Sequence, residues 1–204
     1  MEKQIDKFKV EVEKLLSDSL QSSVRSVNPL KEAKEIFERI GNVFEHDKVN
    51  DILVEIIKGT NEMQKKVPIF MASYLWLYEG AYTFCIDFFC SLLIKNGHDL
   101  FDPFNKEYVF SFNEIQAVET ATKLKFLKCH NLELFERKED RKLRNNIAHH
   151  NFVLDNSGVL KIDGKNINII ERHKNLLGFI VTVFQVYDNA RKSISLRNSS
   201  QNKS

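Results

Sequence analysis

The chain has 204 residues, enough for one large domain or a domain with an added helical arm. Hydrophobic residues make up 43%, with only 7 Gly and 3 Pro, which argues against a loop-rich or all-β design. A formal net charge of +2 excludes a global basic field, so any nucleic-acid contact has to come from a local patch.

Residues 2–20 place Ile5, Phe8, Val12, Leu15 and Leu16 at spacings of three and four, the pattern of an amphipathic helix. Ser17 to Asn28 is polar and reads as a joint. Pro29 opens a second helical pattern through Ala33, Ile36, Phe37 and Ile40. A third runs through Ile52, Leu53, Ile56 and Ile57 and stops near Gly59. Residues 1–66 are therefore expected to form an amphipathic helical arm, with no chemical motif in it.

Pro68 suits the first turn of a helix, and Asn96-Gly97 is a stop signal, so a long helix is expected from Pro68 to about Lys95. It carries Phe70, Tyr74, Trp76, Tyr78, Tyr82, Phe84, Phe88 and Phe89 and is the expected centre of the core. Ile69 to Ile94 is apolar enough to invite comparison with a membrane span. Glu79 and Asp87 would each cost roughly 2.5–3.5 kcal/mol on insertion, so a helix buried in a bundle is the better account and no membrane partner is expected. The charged start Met1-Glu2-Lys3-Gln4 and the odd count of cysteines (Cys85, Cys90, Cys129) lead to the expectation of a reducing cytoplasm, with the thiols as buried small hydrophobes.

Asp99 to Phe112 reads as a loop, and Asn113 to about Leu132 as a helix. The next helix is expected to begin near Asn131, with Glu133 and Glu136 early and Arg141, Lys142 and Arg144 late, an order that complements the helix dipole. It should end around His149-His150-Asn151. A short hairpin follows, Phe152–Leu154 and Val159–Ile162 about a turn at Asp155-Asn156-Ser157-Gly158, with a second turn signal at Asp163-Gly164. A last helix runs from about Ile169 to Ser193, and residues 196–204 read as a disordered tail.

The chemistry concentrates in Arg144-Asn145-Asn146-Ile147-Ala148-His149. Arg144 and His149 are five positions apart, roughly 140° around a helix, whereas Asn145 and His149 share a face. The Asn145 side chain is thus expected to orient the imidazole, with Arg144 reaching around. Histidine titrates near neutral pH and can take or give a proton. Arginine offers a permanent charge in a fork that matches phosphate oxygens. One histidine cannot easily be base and acid together, so two copies about a two-fold axis would divide the roles. Other readings stay open. Arg144 can pair with Asp140 four residues earlier, and His149 can cap the helix end near its last carbonyls.

The string Leu143-Arg144-Asn145-Asn146-Ile147-Ala148-His149 closely resembles the signature of the HEPN superfamily, an arginine and a histidine separated by four to six residues. The resemblance covers roughly residues 68–195, and it implies a mostly all-α, HEPN-type helical bundle over 67–195, with a short β-hairpin after the motif helix and the first 66 residues as an N-terminal extension. It further implies a metal-independent endoribonuclease that cleaves single-stranded RNA by 2′-hydroxyl attack, leaves a 2′,3′-cyclic phosphate, and works as a homodimer with a composite site. A toxin or phage-defence role fits, with an antitoxin or regulatory protein as a further partner. Arg144 and His149 become the catalytic pair and Asn145 their polar support. Glu79 and Asp87, the only acids inside the apolar helix, are candidate supporting acids, and His150 a candidate second base. One HEPN branch has a tyrosine two residues after the histidine, where a partner modifies it; here that residue is Asn151. The alternatives are a non-catalytic module that binds RNA, a nucleotide or a partner protein, and a purely structural dimerisation domain. No cofactor or metal is expected: Cys129-His130 is not spaced like a zinc knuckle, and no phosphate-binding glycine loop is present.

Overall fold

The computed structural model describes residues 2–22, 55, 56, 58, 59, 62–102, 104, 107–136 and 140–201. The protein is mostly helical. Helix α1 spans Glu2–Ser22. The long helix α2 spans Met63–Lys95, with a π-helical stretch at Leu77–Tyr82. Strands β1 (Leu100–Phe101) and β2 (Val109–Phe110) form a small hairpin, followed by a 3-10 segment at Phe112–Ala117. Then come α3 (Thr120–Cys129), α4 (Arg141–Ala148), β3 (Val153–Leu154), β4 (Leu160–Ile162), β5 (Lys165–Ile167) and α5 (Ile169–Gln201). The helical patterns expected from Pro29 to Ile40 and from Ile52 to Ile57 lie outside the described residues, apart from Glu55 and Ile56.

The chain divides into two compact units. The first is Met1–Leu30, Thr83–Glu139 and Ile180–Ser204; the second is Lys31–Tyr82 and Asp140–Phe179. In the first unit, α1 packs on the C-terminal half of α2 through its apolar stripe. Phe8 meets the rings of Phe89 and Phe135 at 5.6 and 5.8 Å, and all three side chains are essentially fully buried. Three such rings remove several hundred Å² of apolar surface from water and dominate this core. Phe88 packs edge-on against Tyr187. Lys123 of α3 is 2% exposed, and its ammonium meets Asp87 at 2.6 Å.

In the second unit, Tyr74, Tyr78 and Tyr82 form a ladder of rings on α2 that ends on Phe179. The sheet order is β3-β4-β5, all antiparallel. Asp163 and Gly164 connect β4 to β5 with φ of 49° and 73°, the positive values that a tight two-residue hairpin requires. The sequence pattern predicts two strands here; β5 escapes it because Lys165-Asn166-Ile167 carries no apolar alternation and is mostly exposed.

Several boundaries differ from expectation. Helix α2 starts at Met63, so Pro68 lies inside it rather than in its first turn. The loop after Asp99 contains the β1–β2 hairpin. The helix expected over 113–132 is broken at Val118-Glu119, where Val118 turns to extended backbone. Asn131 does not open a helix. It follows the end of α3 with φ 62°, and the Leu132 N–H closes back on the Leu127 carbonyl. Asn serves either helix end, so its presence alone does not say which. Helix α5 continues beyond Ser193 to Gln201. Cys85 and Cys90 are buried as expected, and burial pushes the Cys85 thiol up to about 12; Cys129 is exposed.

Among the described residues, α2 is the one helix long and apolar enough to cross a membrane, and 56% of its most apolar window is buried inside the protein. That burial is the behaviour of a core helix.

Candidate functional site

The motif occupies a short helix held firmly at both ends. Asp140 is its N-cap, and its carboxylate accepts the Leu143 N–H at 3.1 Å. Leu143 and Ile147, four apart, are its buried residues, and α4 packs on the Met63–Trp76 part of α2. At the other end, His149 is the C-cap and donates its backbone N–H to the Asn145 carbonyl at 2.9 Å. His150 takes the left-handed conformation, φ 57°, and the Asn151 N–H reaches back to the Asn146 carbonyl at 2.8 Å. This closure ends the helix without a glycine.

The start at Asp140 corrects the expected dipole arrangement. Arg141, Lys142 and Arg144 fall in the first turn, not the last, and so sit against the helix dipole. Nearby carboxylates offset them. Lys142 meets Asp163 at 2.5 Å and Arg144 meets Glu79, while the capping acid Asp140 lies 3.5 Å from a further cation, Arg172 of α5.

The structure brings together Arg144, Asn145 and Glu79. The Arg144 Nε donates to a Glu79 carboxylate oxygen, and Nη1 donates to the Asn145 Oδ1 at 2.8 Å. The Glu79 carboxylate holds the guanidinium pKa above its usual value. A guanidinium has five N–H donors. Two are engaged, and the rest carry no partner among the described residues. Arg144 therefore pairs with Glu79 and not with Asp140. Glu79 belongs to the π-helical stretch and is 47% exposed, so it is a surface acid rather than the buried one expected. The π stretch has no plain signature in the sequence; Gly80 at its centre is the only hint.

The expected side-chain bond from Asn145 to His149 is absent; the carboxamide oxygen accepts from Arg144 instead. His149 is exposed, and its imidazole has no hydrogen-bond partner among the described residues. His150 is exposed too, with its ring 6.1 Å from that of Phe152. Its left-handed backbone gives it a structural task at the helix end. Asp87 lies in the first unit, where Lys123 is its partner. Burial raises its carboxyl pKa, against the lowering effect of the Lys123 ammonium. Among the described residues, no group of three or more His, Cys, Asp or Glu side chains is placed to hold a metal ion.

Sequence reasoning passed over one further cluster in the same unit. His173 on α5 lies 2.8 Å from the Ser73 hydroxyl and edge-on to Phe70, and burial lowers its pKa. Ser73 sits mid-helix with its backbone N–H inside the helical ladder, so no donor pair is arranged for an oxyanion. The pair ties α5 to α2. No family model, no curated protein and no solved structure matches this chain.

Proposed function

We propose that this chain is a metal-independent endoribonuclease of the HEPN kind, acting on single-stranded RNA in the cytoplasm as a homodimer. The observation that carries the reading is the disposition of α4. Its arginine is pre-set by Glu79 and Asn145 with donors to spare, and its histidine stands exposed at the helix end. In the proposed step, one His149 takes the ribose 2′-hydroxyl proton while the 2′-oxygen attacks phosphorus. The bond to the 5′-oxygen breaks, and the partner copy's imidazolium protonates that oxygen as it leaves. Arg144 stabilises the charge that builds on the non-bridging oxygens. The products are a 2′,3′-cyclic phosphate and a free 5′-hydroxyl.

The test is incubation of purified full-length chain with single-stranded RNA in EDTA. Cleavage with cyclic-phosphate ends is expected. Arg144→Ala and His149→Ala should each lower the rate by about 10²-fold or more. Intact RNA with the unaltered chain, under conditions where RNA is nonetheless bound, would replace the enzyme by a non-catalytic RNA-binding module. A strictly monomeric chain that still cleaves would remove the composite site.

A further inference from the structure

The first turn of α4 breaks a local rule. Three cations stand where the helix dipole favours anions, and such departures concentrate where a chain does something other than fold. Two other elements bring further cations to the same place. The β4–β5 turn carries Asp163, which binds Lys142 at 2.5 Å. Lys165 follows on β5, close enough that it and Lys142 together hold the Asp163 carboxyl below its usual range. The start of α5 carries Arg172, 3.5 Å from Asp140. Thus Asp140 and Asp163 gather Lys142, Lys165 and Arg172 around one end of the motif helix. Lys142 and Arg172 are 76% and 56% exposed. Lys165 is exposed as well, and its side chain makes no hydrogen bond or ion pair among the described residues. Exposed pairs of this kind contribute little to stability. Folding alone gives them little reason to be there.

The geometry points to a second phosphate-binding locus, in which Lys142, Lys165 and Arg172 hold the RNA backbone to one side of the scissile phosphate. This rests on the RNA reading above and specifies how the strand is held. Lys142 is seven residues from His149, about 10 Å along a helix at about 1.5 Å per residue. A stacked strand advances about 3.4 Å per nucleotide, and Arg144 is two residues from Lys142, about 3 Å along the helix, so the cluster meets a phosphate about one to three nucleotides from the site. The contacts are to phosphates and carry no base preference. Asp163 acts as a counter-ion that an incoming phosphate displaces from Lys142.

The test is fluorescence anisotropy with a 5′-labelled oligouridylate of about a dozen nucleotides, from 50 to 200 mM KCl. A His149→Ala background keeps the RNA intact. Removing both lysines (Lys142→Gln with Lys165→Gln) should weaken binding several-fold and lower the slope of log Kd against log salt by about 0.7 per lost contact. Lys165→Gln alone breaks no ion pair and should show half of that change. Asp163→Asn should tighten binding, an outcome that a damaged fold would not give. Unchanged affinity and slope in the double lysine variant, or weaker binding in Asp163→Asn, would overturn the locus. The two readings fail separately. RNA that the unaltered chain binds but leaves uncut, with the expected slope changes in the His149→Ala background, removes the nuclease and keeps the locus. Cleavage and binding that ignore these residues do the reverse.

Discussion

Asp87 and Lys123 form an ion pair whose two ends are unequally dry, and that inequality predicts an asymmetric response to mutation. The Lys123 side chain is 3% exposed and the Asp87 side chain 22%. Replacing Asp87 by Leu leaves an ammonium in the interior with no opposite charge, a change that costs about 3–5 kcal/mol in comparable settings. Replacing Lys123 by Met leaves a carboxylate that still reaches some water and whose pKa is already raised by burial. That loss should be about 1–3 kcal/mol at neutral pH. The double replacement removes both charges and fills the space with apolar atoms, so it should lie within about 1 kcal/mol of the unaltered protein. Urea unfolding followed by far-UV circular dichroism gives the three differences and hence a coupling energy of at least about 3 kcal/mol. The pH dependence adds a sign. Without Lys123, the folded-state pKa of Asp87 stands above its unfolded value, so the penalty shrinks as pH falls and the carboxyl takes a proton. Additive single effects, or a Lys123→Met variant worse than Asp87→Leu, would refute this account of the pair.

Three other outcomes are expected. Gly158→Ala should destabilise the chain by roughly 2–4 kcal/mol in urea unfolding, because φ is +82° and the new Cβ would lie 2.5 Å from the Gln64 backbone nitrogen. Asp140→Ala should cost about 1 kcal/mol through the lost cap to Leu143, with a larger loss of amide-exchange protection in α4 than elsewhere. Burial sets the folded-state pKa of His173 below its unfolded value, so its contribution is full above about pH 6.5 and is lost as pH falls through the folded pKa. Stability measured from pH 7 to pH 5 should therefore fall less steeply in His173→Gln than in the unaltered chain. His130 acts in the same direction, through burial first and then the neighbouring His98, so the slope should not vanish.

Periodicity made α1, α2 and α5 legible, since their apolar positions recur over many turns and burial follows the pattern. Phe8, Val12, Leu15 and Leu16 are all buried, as their spacing requires. The motif string drew attention for a different reason, the imidazole, carboxamide and guanidinium that it gathers within six residues. What escaped were features decided by single residues or by tertiary partners. Asn131 and Asp140 are both ordinary cap residues, and nothing local says that the first closes α3 while the second opens α4. Asn145 faces His149 by helical spacing, yet the guanidinium next door is the better donor for its carboxamide oxygen. Glu79 was singled out as an acid in an apolar helix. Its exposure comes with the π-helical turn, which spacing rules built on 3.6 residues do not anticipate.

The close approach of Gly158 to Met63 and Gln64 has a consequence for how this sequence can drift. The β3–β4 turn touches the start of α2 through main-chain atoms: the nitrogen and Cα of Gln64 and the carbonyl carbon of Met63. Such a joint makes almost no demand on side chains. Positions 63 and 64 are free to change, Pro aside, without loosening it, while position 158 accepts glycine alone. The start of the longest apolar helix is thus secured by one hydrogen in place of a methyl group. In a library of single substitutions across this region, intolerance should appear as a solitary point in the turn, with its two contact partners looking permissive.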